Sequence, residues 1–444
     1  MSKAKLNHGV RIVSAALYAV AAGCLRVSLP QANLMPAAPA HELAWQEAVA
    51  LALRQHPDIR QAQEQVRASA HNRNAAFGGY LPTIDGGFNR RRSRSTNTQP
   101  TADSVAFDVD VTQPLFTGFA TTGDYLQARR QWEAATWAYR ETSAEVRSRL
   151  RTAFVELLRL QTLLNADRII ADRRKENADL IRLRYDAGRE NRGSLLRSEA
   201  ISEDAQFTVR QIERAQASQQ LAFARELGGR FDWAARPSAD LGDLIPALPE
   251  PPADYGILAE NTPGVQRLLK TAESQKAAVL SSQADLWPTV QGTFNYGYSG
   301  PEISSMRDDA TLGLSVSVPF FAGGQNVEDV WEARSDYRAA LEAARSARDA
   351  QIAGLSEAWT AFRDAREFLD VKKKFLEAAR ERAEIVRSQY TSGLADFQAF
   401  DIAEQELADS EKAYVQSLAD VLTRESQWEL AKGTTLEDSL NGAR

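Results

Sequence analysis

The chain is written twice. Pro82 returns as Pro288 and Pro114 as Pro319, at an offset of 205 to 206 residues, and Phe116-Thr117-Gly118 returns as Phe321-Ala322-Gly323. Tyr185, Gly188 and Gly228 return as Tyr390, Gly393 and Gly433, while Leu150, Phe154, Leu157 and Leu164 return as Leu355, Trp359, Phe362 and Leu369. An offset that slips by one residue over half a chain records a duplicated structural unit, not shared composition. Duplicated units bury their apolar faces against copies of themselves. This period is too long for a solenoid, so each half is a composite unit.

Each half reads as helix, strand pair, very long helix, turn and helix. Residues 43–77 carry apolar positions at helical spacing, interrupted at His56-Pro57. The period then becomes two: Val105, Phe107, Val109 and Val111 alternate with Ala106, Asp108, Asp110 and Thr112. The sequence predicts strands at about 83–92 and 105–114, joined by a polar loop, and again at about 288–299 and 311–319. Strands near ten residues long, apolar on one face and small or polar on the other, fit a transmembrane barrel. An ordinary sandwich shows the same alternation. Only four strands are present, however, and four cannot close a barrel, whose open edges lipid does not tolerate. In a membrane several chains must pool them, and three chains supply twelve.

From Gly118 to Tyr185 the helical pattern runs 67 residues without a proline, or about 100 Å at 1.5 Å per residue. Heptad spacing at Tyr125, Trp132, Tyr139 and Val146, then at Leu150, Leu157 and Leu164, predicts coiled-coil packing. Turns follow at residues 186–193 and 391–396, and the return helix, residues 194–227, is half as long. One long helix therefore lies beside two half-length helices stacked end to end. Residues 41–228 form the first repeat and 257–433 the second. A Pro-rich connector, 229–256, falls at mid-height, and 434–444 is a short polar tail.

Residues 1–24 read as a secretory leader: Lys3, Lys5 and Arg11 precede an apolar run. Cys24, the chain's one cysteine, follows Ala21-Ala22-Gly23, which resembles a lipobox; cleavage before Cys24 predicts acylation there, whereas cleavage near residue 40 discards it. A net charge of −6 and a pI near 5.6 argue against a nucleic-acid partner. No stretch is long and apolar enough for a membrane helix. His41, His56 and His71 lack metal-site spacing, and no catalytic or cofactor motif appears. The chain therefore reads as a non-enzyme without a cofactor or metal.

Taken in order, Leu43-Ala44-Trp45-Gln46-Glu47-Ala48 leading to His56-Pro57, Tyr80-Leu81-Pro82, Gln113-Pro114-Leu115-Phe116-Thr117-Gly118 and a Tyr-x-x-Gly at both helical turns resemble the TolC family of outer-membrane channels. The resemblance covers the mature chain and implies a mainly α fold with a small β part. It implies a homotrimer, with a twelve-stranded barrel in outer-membrane lipid and a helical tunnel across the periplasm. It also implies a periplasmic adaptor and an inner-membrane transporter as partners in efflux or type I secretion. An exported coiled-coil adaptor or scaffold that forms no channel is the alternative.

The family often closes its tip with a tyrosine bonded to aspartate and arginine. Tyr390 matches the tyrosine, but the other two positions fall on Ser194 and Ala395. The resemblance also implies an acidic ring in a Leu-Asp-Ala triplet, which falls ungapped on Asp401-Ile402-Ala403, so the acid, Asp401, comes one residue early; the same slot in the first repeat holds Arg197. Tyr390, Asp396 and Asp401 are thus the expected gate. The turns Gly188, Arg189, Glu190, Asn191, Arg192 and Gly393, Leu394, Ala395, Asp396 are the expected adaptor surface. Asp108 and Asp110 are expected to line the barrel lumen. Arg90, Arg91, Arg92 and Arg94 are expected at lipid headgroups.

Overall fold

Proline at the first helical turn sets where two of the helices begin. Pro57 follows His56, whose Nδ1 accepts the Asp58 N–H at 3.2 Å, and Pro263 follows Thr262. Proline fits there because its missing N–H would be unpaired anyway. The structure, a computed structural model, describes residues 42–93, 102–229 and 236–441. The leader, Cys24, His41 and Arg94 lie outside the described residues.

In chain order the elements are β1 (Glu42–Leu43), α1 (Trp45–Gln55), α2 (Pro57–Gly78), β2 (Thr83–Ser93), β3 (Ala102–Thr117), α3 (Ala120–Asp186), α4 (Arg192–Glu226) and β4 (Arg236–Pro237). There follow α5 (Tyr255–Glu260), α6 (Pro263–Gln283), β5 (Thr289–Gly300), β6 (Arg307–Ser317), α7 (Gln325–Ser392), α8 (Phe397–Lys432) and α9 (Leu436–Asn441). The long helices α3 and α7 have 67 and 68 residues.

α2 and α4 meet α3 one after the other. Phe77 of α2 packs on Tyr125 near the start of α3, whereas Arg182 near its end pairs with Glu199 of α4. Where α4 ends, Gly228 lies so close to the junction of α1 and α2 that a Cβ there would stand 2.6 Å from the backbone of Gln55 and His56. Gly433 makes the matching contact with Pro263. α3 packs on α2, α4, α6 and α8, while α7 packs on α6 and α8. The main core lies between these helices, where Leu150, Phe154 and Leu157 meet Phe223, Val421 and Leu422.

The four long strands form one antiparallel sheet in the order β2-β3-β5-β6. β3 begins three residues before Val105, because Ala102 pairs with Ser93 and Arg92 bonds Asp103 at 2.8 Å. It also continues past Pro114 to Thr117 through an irregularity between Pro114 and Phe116, which accommodates the residue that cannot donate. β6 runs Arg307–Ser317, starting earlier than its alternation and stopping before Pro319. A further pair, β1 beside β4, is parallel. Two residues each is too short for any periodicity to announce them.

The tail differs from expectation. Leu436 is fully buried, and Glu437 of α9 accepts hydrogen bonds from Tyr139 and, at 2.6 Å, from Ser143 of α3. One apolar residue in a polar stretch is enough to dock a short helix when its neighbours supply paired polar atoms.

Candidate functional site

Gly188 and Gly393 take φ of 71° and 81° at the ends of α3 and α7, the left-handed conformation that stops a helix. Three residues further the return helices are capped by repeat-mates. Asn191 accepts the Ser194 N–H at 2.9 Å, and Asp396 accepts the Ala399 N–H at 2.8 Å. Side-chain acceptors at this position satisfy N–H groups that the helix leaves unpaired. The Asp396 carboxylate is therefore a cap, on an exposed turn it shares with Leu394, which is 82% exposed. Ala395 is half-buried, and Arg189 and Arg192 of the first turn are exposed.

Tyr390 is 1% exposed, although its repeat-mate Tyr185 lies open. Its hydroxyl donates to Glu190 Oε2 at 2.9 Å, and Arg184 lies 4.4 Å from its ring centroid and donates to its carbonyl at 2.8 Å. Burial, with the bond to Glu190, pushes the Tyr390 hydroxyl well above the usual phenol range, so it remains a donor at neutral pH. The tyrosine's partners are thus Glu190 and Arg184, not Ser194 and Ala395. Ser194 is buried and occupied by Asn191. An ungapped comparison missed this because the contact is made by a turn. Glu190 is the only acid among residues 187–193, and Arg184 directly precedes Tyr185.

Asp401 is also buried. It accepts from Arg197 Nε at 2.9 Å and lies 3.8 Å from Arg174. Its carboxylate faces the first hairpin of the same chain, where two guanidinium groups balance its charge. One helical position turns a side chain by about 100°, so an acid displaced by one residue points elsewhere.

The strand register divides the sheet into two faces. Asp108 and Asp110 pair across with Gly297 and Asn295, and Asn295 donates to Asp110 at 2.6 Å. Asp85 and Thr311 fall on this same polar face through their own pairings. The opposite face carries Ile84, Phe88, Phe107, Phe294, Leu312 and Leu314, all exposed, with no second layer over them among the described residues. At the hairpin end of this face stand Arg90 and Arg92, whereas alternation sends Arg91 to the polar face. A sheet apolar outside and polar inside suits lipid on one side and water on the other.

Residues 48–229 and 255–434 match the outer membrane efflux protein family. The alkaline protease secretion protein AprF of Pseudomonas aeruginosa is 26% identical over 300 residues, 62% of this chain and 61% of AprF. The solved structure of CusC has a TM-score of 0.81 at 13% identity, covering 90% of this chain and 95% of that one. The open state of the MtrE outer membrane channel of Neisseria gonorrhoeae has a TM-score of 0.79 at 16% identity, covering 89% and 90%. These structures share the fold: a small antiparallel sheet carried by long paired helices. With both halves of the duplication matched, this chain belongs to the outer membrane efflux protein family.

Proposed function

We propose that three copies of this chain close into an outer-membrane duct. Its twelve-stranded barrel stands in lipid, and its helices cross the periplasm to an adaptor and an inner-membrane transporter. One observation carries this reading: the second repeat lacks the neighbour that the first one has. α3 buries two heptad rows, one through Leu150, Leu157 and Leu164 and the other through Val146, Ala153 and Leu160. α7 buries the row through Leu355, Phe362 and Leu369, with Trp359 beside it, and leaves Phe368, Val371 and Phe375 exposed. The repeat-mates of the second row, Gln351, Ala358 and Ala365, are only half-buried, and among the described residues no next repeat packs on α7 as α6 and α8 of the second repeat pack on α3.

The junctions below the sheet tell the same story. Phe116 packs on Phe119, and Phe119 on Trp287 of the second repeat. The repeat-mate Phe321 is 88% exposed. A next copy would bring its α2 and α4 to α7, and its β2 to the open edge of β6. Head-to-tail contacts of this kind close into rings, and closure removes the edges that lipid forbids.

In this duct Asp108 and Asp110 face the lumen, and Arg90 and Arg92 stand at headgroup level. Residues 188–192 and 393–396 are the surface an adaptor reaches, and Tyr390 with Asp396 and Asp401 belongs to the gate. Both efflux and protein secretion, the latter named for AprF, suit such a duct. Mass measurement of the detergent-solubilised protein should give three copies that conduct in planar bilayers; a stable, membrane-inserted monomer rejects the architecture. The mass of the mature chain separates acylation at Cys24 from cleavage near residue 40.

A further inference from the structure

α3 meets α8 along one face, and much of that face is polar. The hydroxyls of Ser148 and Ser426 lie 3.4 Å apart, Asp167 takes Lys412 at 2.7 Å, and Arg173 takes Glu411 at 2.8 Å. Val155 and Ile170 fall on the same side of α3 at helical spacing, and both are buried. The repeat carries this face onto α7, where nothing covers it among the described residues. The mates of Ser148, Val155 and Ile170 are Ala353, Thr360 and Phe375, all exposed, Phe375 to 63%. The matching face of α8 is carried onto α4, where Ser426 becomes Leu221 and Lys412 becomes Phe207, each 50% exposed. One open face in each repeat, built on the same pattern, is what successive copies need to join head to tail.

The chemistry of these two faces differs from that inside the chain. Asp167 becomes Lys372, Arg173 becomes Ala378 and Arg174 becomes Ala379, while Glu411 becomes Gln206. Lys372 lies 4.8 Å from the Phe368 ring and Arg214 lies 5.9 Å from the Phe207 ring, so cations edge the aromatic groups on both faces. Where the chain joins its own hairpins by ion pairs, the open faces thus offer aromatic and small side chains.

On the reading of the chain as a subunit of a three-copy duct, we propose that Phe207 of each copy seats against Val371, Lys372 and Phe375 of the next, and that this contact decides which helix pairs with which. α8 cannot replace the next copy's α4 on α7, because Lys412 would face Lys372 and Glu411 would lose Arg173. α4 cannot replace α8 on α3, because Phe207 would leave the buried Asp167 without its counter-charge. Attraction at the right pairing and an unpaired or repelled charge at the wrong one together specify head-to-tail closure.

A charge exchange in the full-length, detergent-solubilised protein tests this, read as the fraction that runs as a trimer. Phe207 is exposed within its own chain, so its replacement leaves the fold intact. Phe207→Lys sets a lysine opposite Lys372 at each seam and should lower the trimer fraction about tenfold. Adding Lys372→Asp recreates between copies the pair that Asp167 and Lys412 make within one, and should restore the trimer. Cysteine pairs test the geometry separately. Leu221→Cys with Ala353→Cys should link copies under oxidant into a ladder ending at three, which Cys24 alone cannot give. Ser148→Cys with Ser426→Cys should close within one chain and leave its mass on a denaturing gel unchanged. Copies that stay unlinked in a conducting trimer overturn the seam alone, as do an undiminished Phe207→Lys trimer and a double variant that fails to recover. A wild-type chain that stays monomeric in the membrane overturns the duct.

Discussion

The rings of Tyr390 and Phe400 lie face to face, their centroids 4.7 Å apart and their planes 9° from parallel. The stack joins the end of α7 to the first turns of α8, and the Tyr390 hydroxyl carries it on to Glu190 in the other hairpin. An aromatic pair of this kind contributes about 0.5–1.5 kcal/mol beyond its buried area. A hydrogen bond to a charged acceptor contributes about 1.5–3 kcal/mol.

Replacing Tyr390 by Phe removes the bond and keeps the stack, so leak conductance in planar bilayers should rise modestly. Phe400→Ala removes the stack and opens a cavity, at a cost of about 3–5 kcal/mol, and should leak more. Equal conductance of both variants and the wild type would place the constriction elsewhere.

Arg197 and Asp401 form a charge-balanced pair, so single substitutions should move ion selectivity in opposite directions. Asp401→Asn leaves three uncompensated Arg197 side chains in a trimer and should shift the reversal potential toward anions. Arg197→Gln exposes a ring of carboxylates and should shift it toward cations, as charged rings do. The double substitution should return near the wild-type value. If neither single change moves the reversal potential, this pair does not face the pore.

Glu226 gives a dependence on pH. His56 Nε2 lies 3.6 Å from its carboxylate and Arg149 Nε lies 3.3 Å away, and together they hold the Glu226 carboxyl below its usual range. A depressed folded-state pKa stabilises the protein above the unfolded value, near 4.5, and that stability disappears as the pH falls through the folded value. Glu226→Gln should therefore lower the melting temperature at about pH 5, where the carboxylate is charged. Below about pH 4.5 the gap should shrink. A gap that persists undiminished at pH 3 would mean that packing, not charge, is what the carboxylate supplies.

Much of this architecture could be read from the residues because it repeats. Leu355, Phe362 and Leu369 stand where Leu150, Leu157 and Leu164 predict, and the Pro57 and Pro263 helix starts follow from proline chemistry alone. What could not be read depends on direction or on distant partners. No local pattern tells that Asp401 turns toward Arg197, or that Tyr390 reaches Glu190 some 200 residues away. Leu436 is a single apolar residue among polar ones, and its burial depends on a surface built by α1 and α3. Glu190 lies in a turn, where spacing carries the least information.

The duplicated glycines allow the end-to-end stacking of helices to be tested within one molecule. Gly228 and Gly433 both take positive φ, 72° and 78°, so alanine at either costs about 1 kcal/mol for the left-handed backbone. The added methyl then meets different obstacles. At Gly228 it would stand 2.6 Å from three backbone atoms of Gln55 and His56, which cannot move without displacing the start of α2. At Gly433 it would stand 2.2 Å from Cδ of the buried Pro263, a ring edge at the first turn of α6 that carries no N–H to displace. Gly228→Ala should therefore destabilise more than Gly433→Ala, by about 1–3 kcal/mol as overpacking usually costs. Denaturant melts of the two variants, read by loss of helical circular dichroism, measure the difference. Equal losses would mean that the two repeats join their helices with the same tolerance, and that the backbone contact at His56 does not hold α2 and α4 in register.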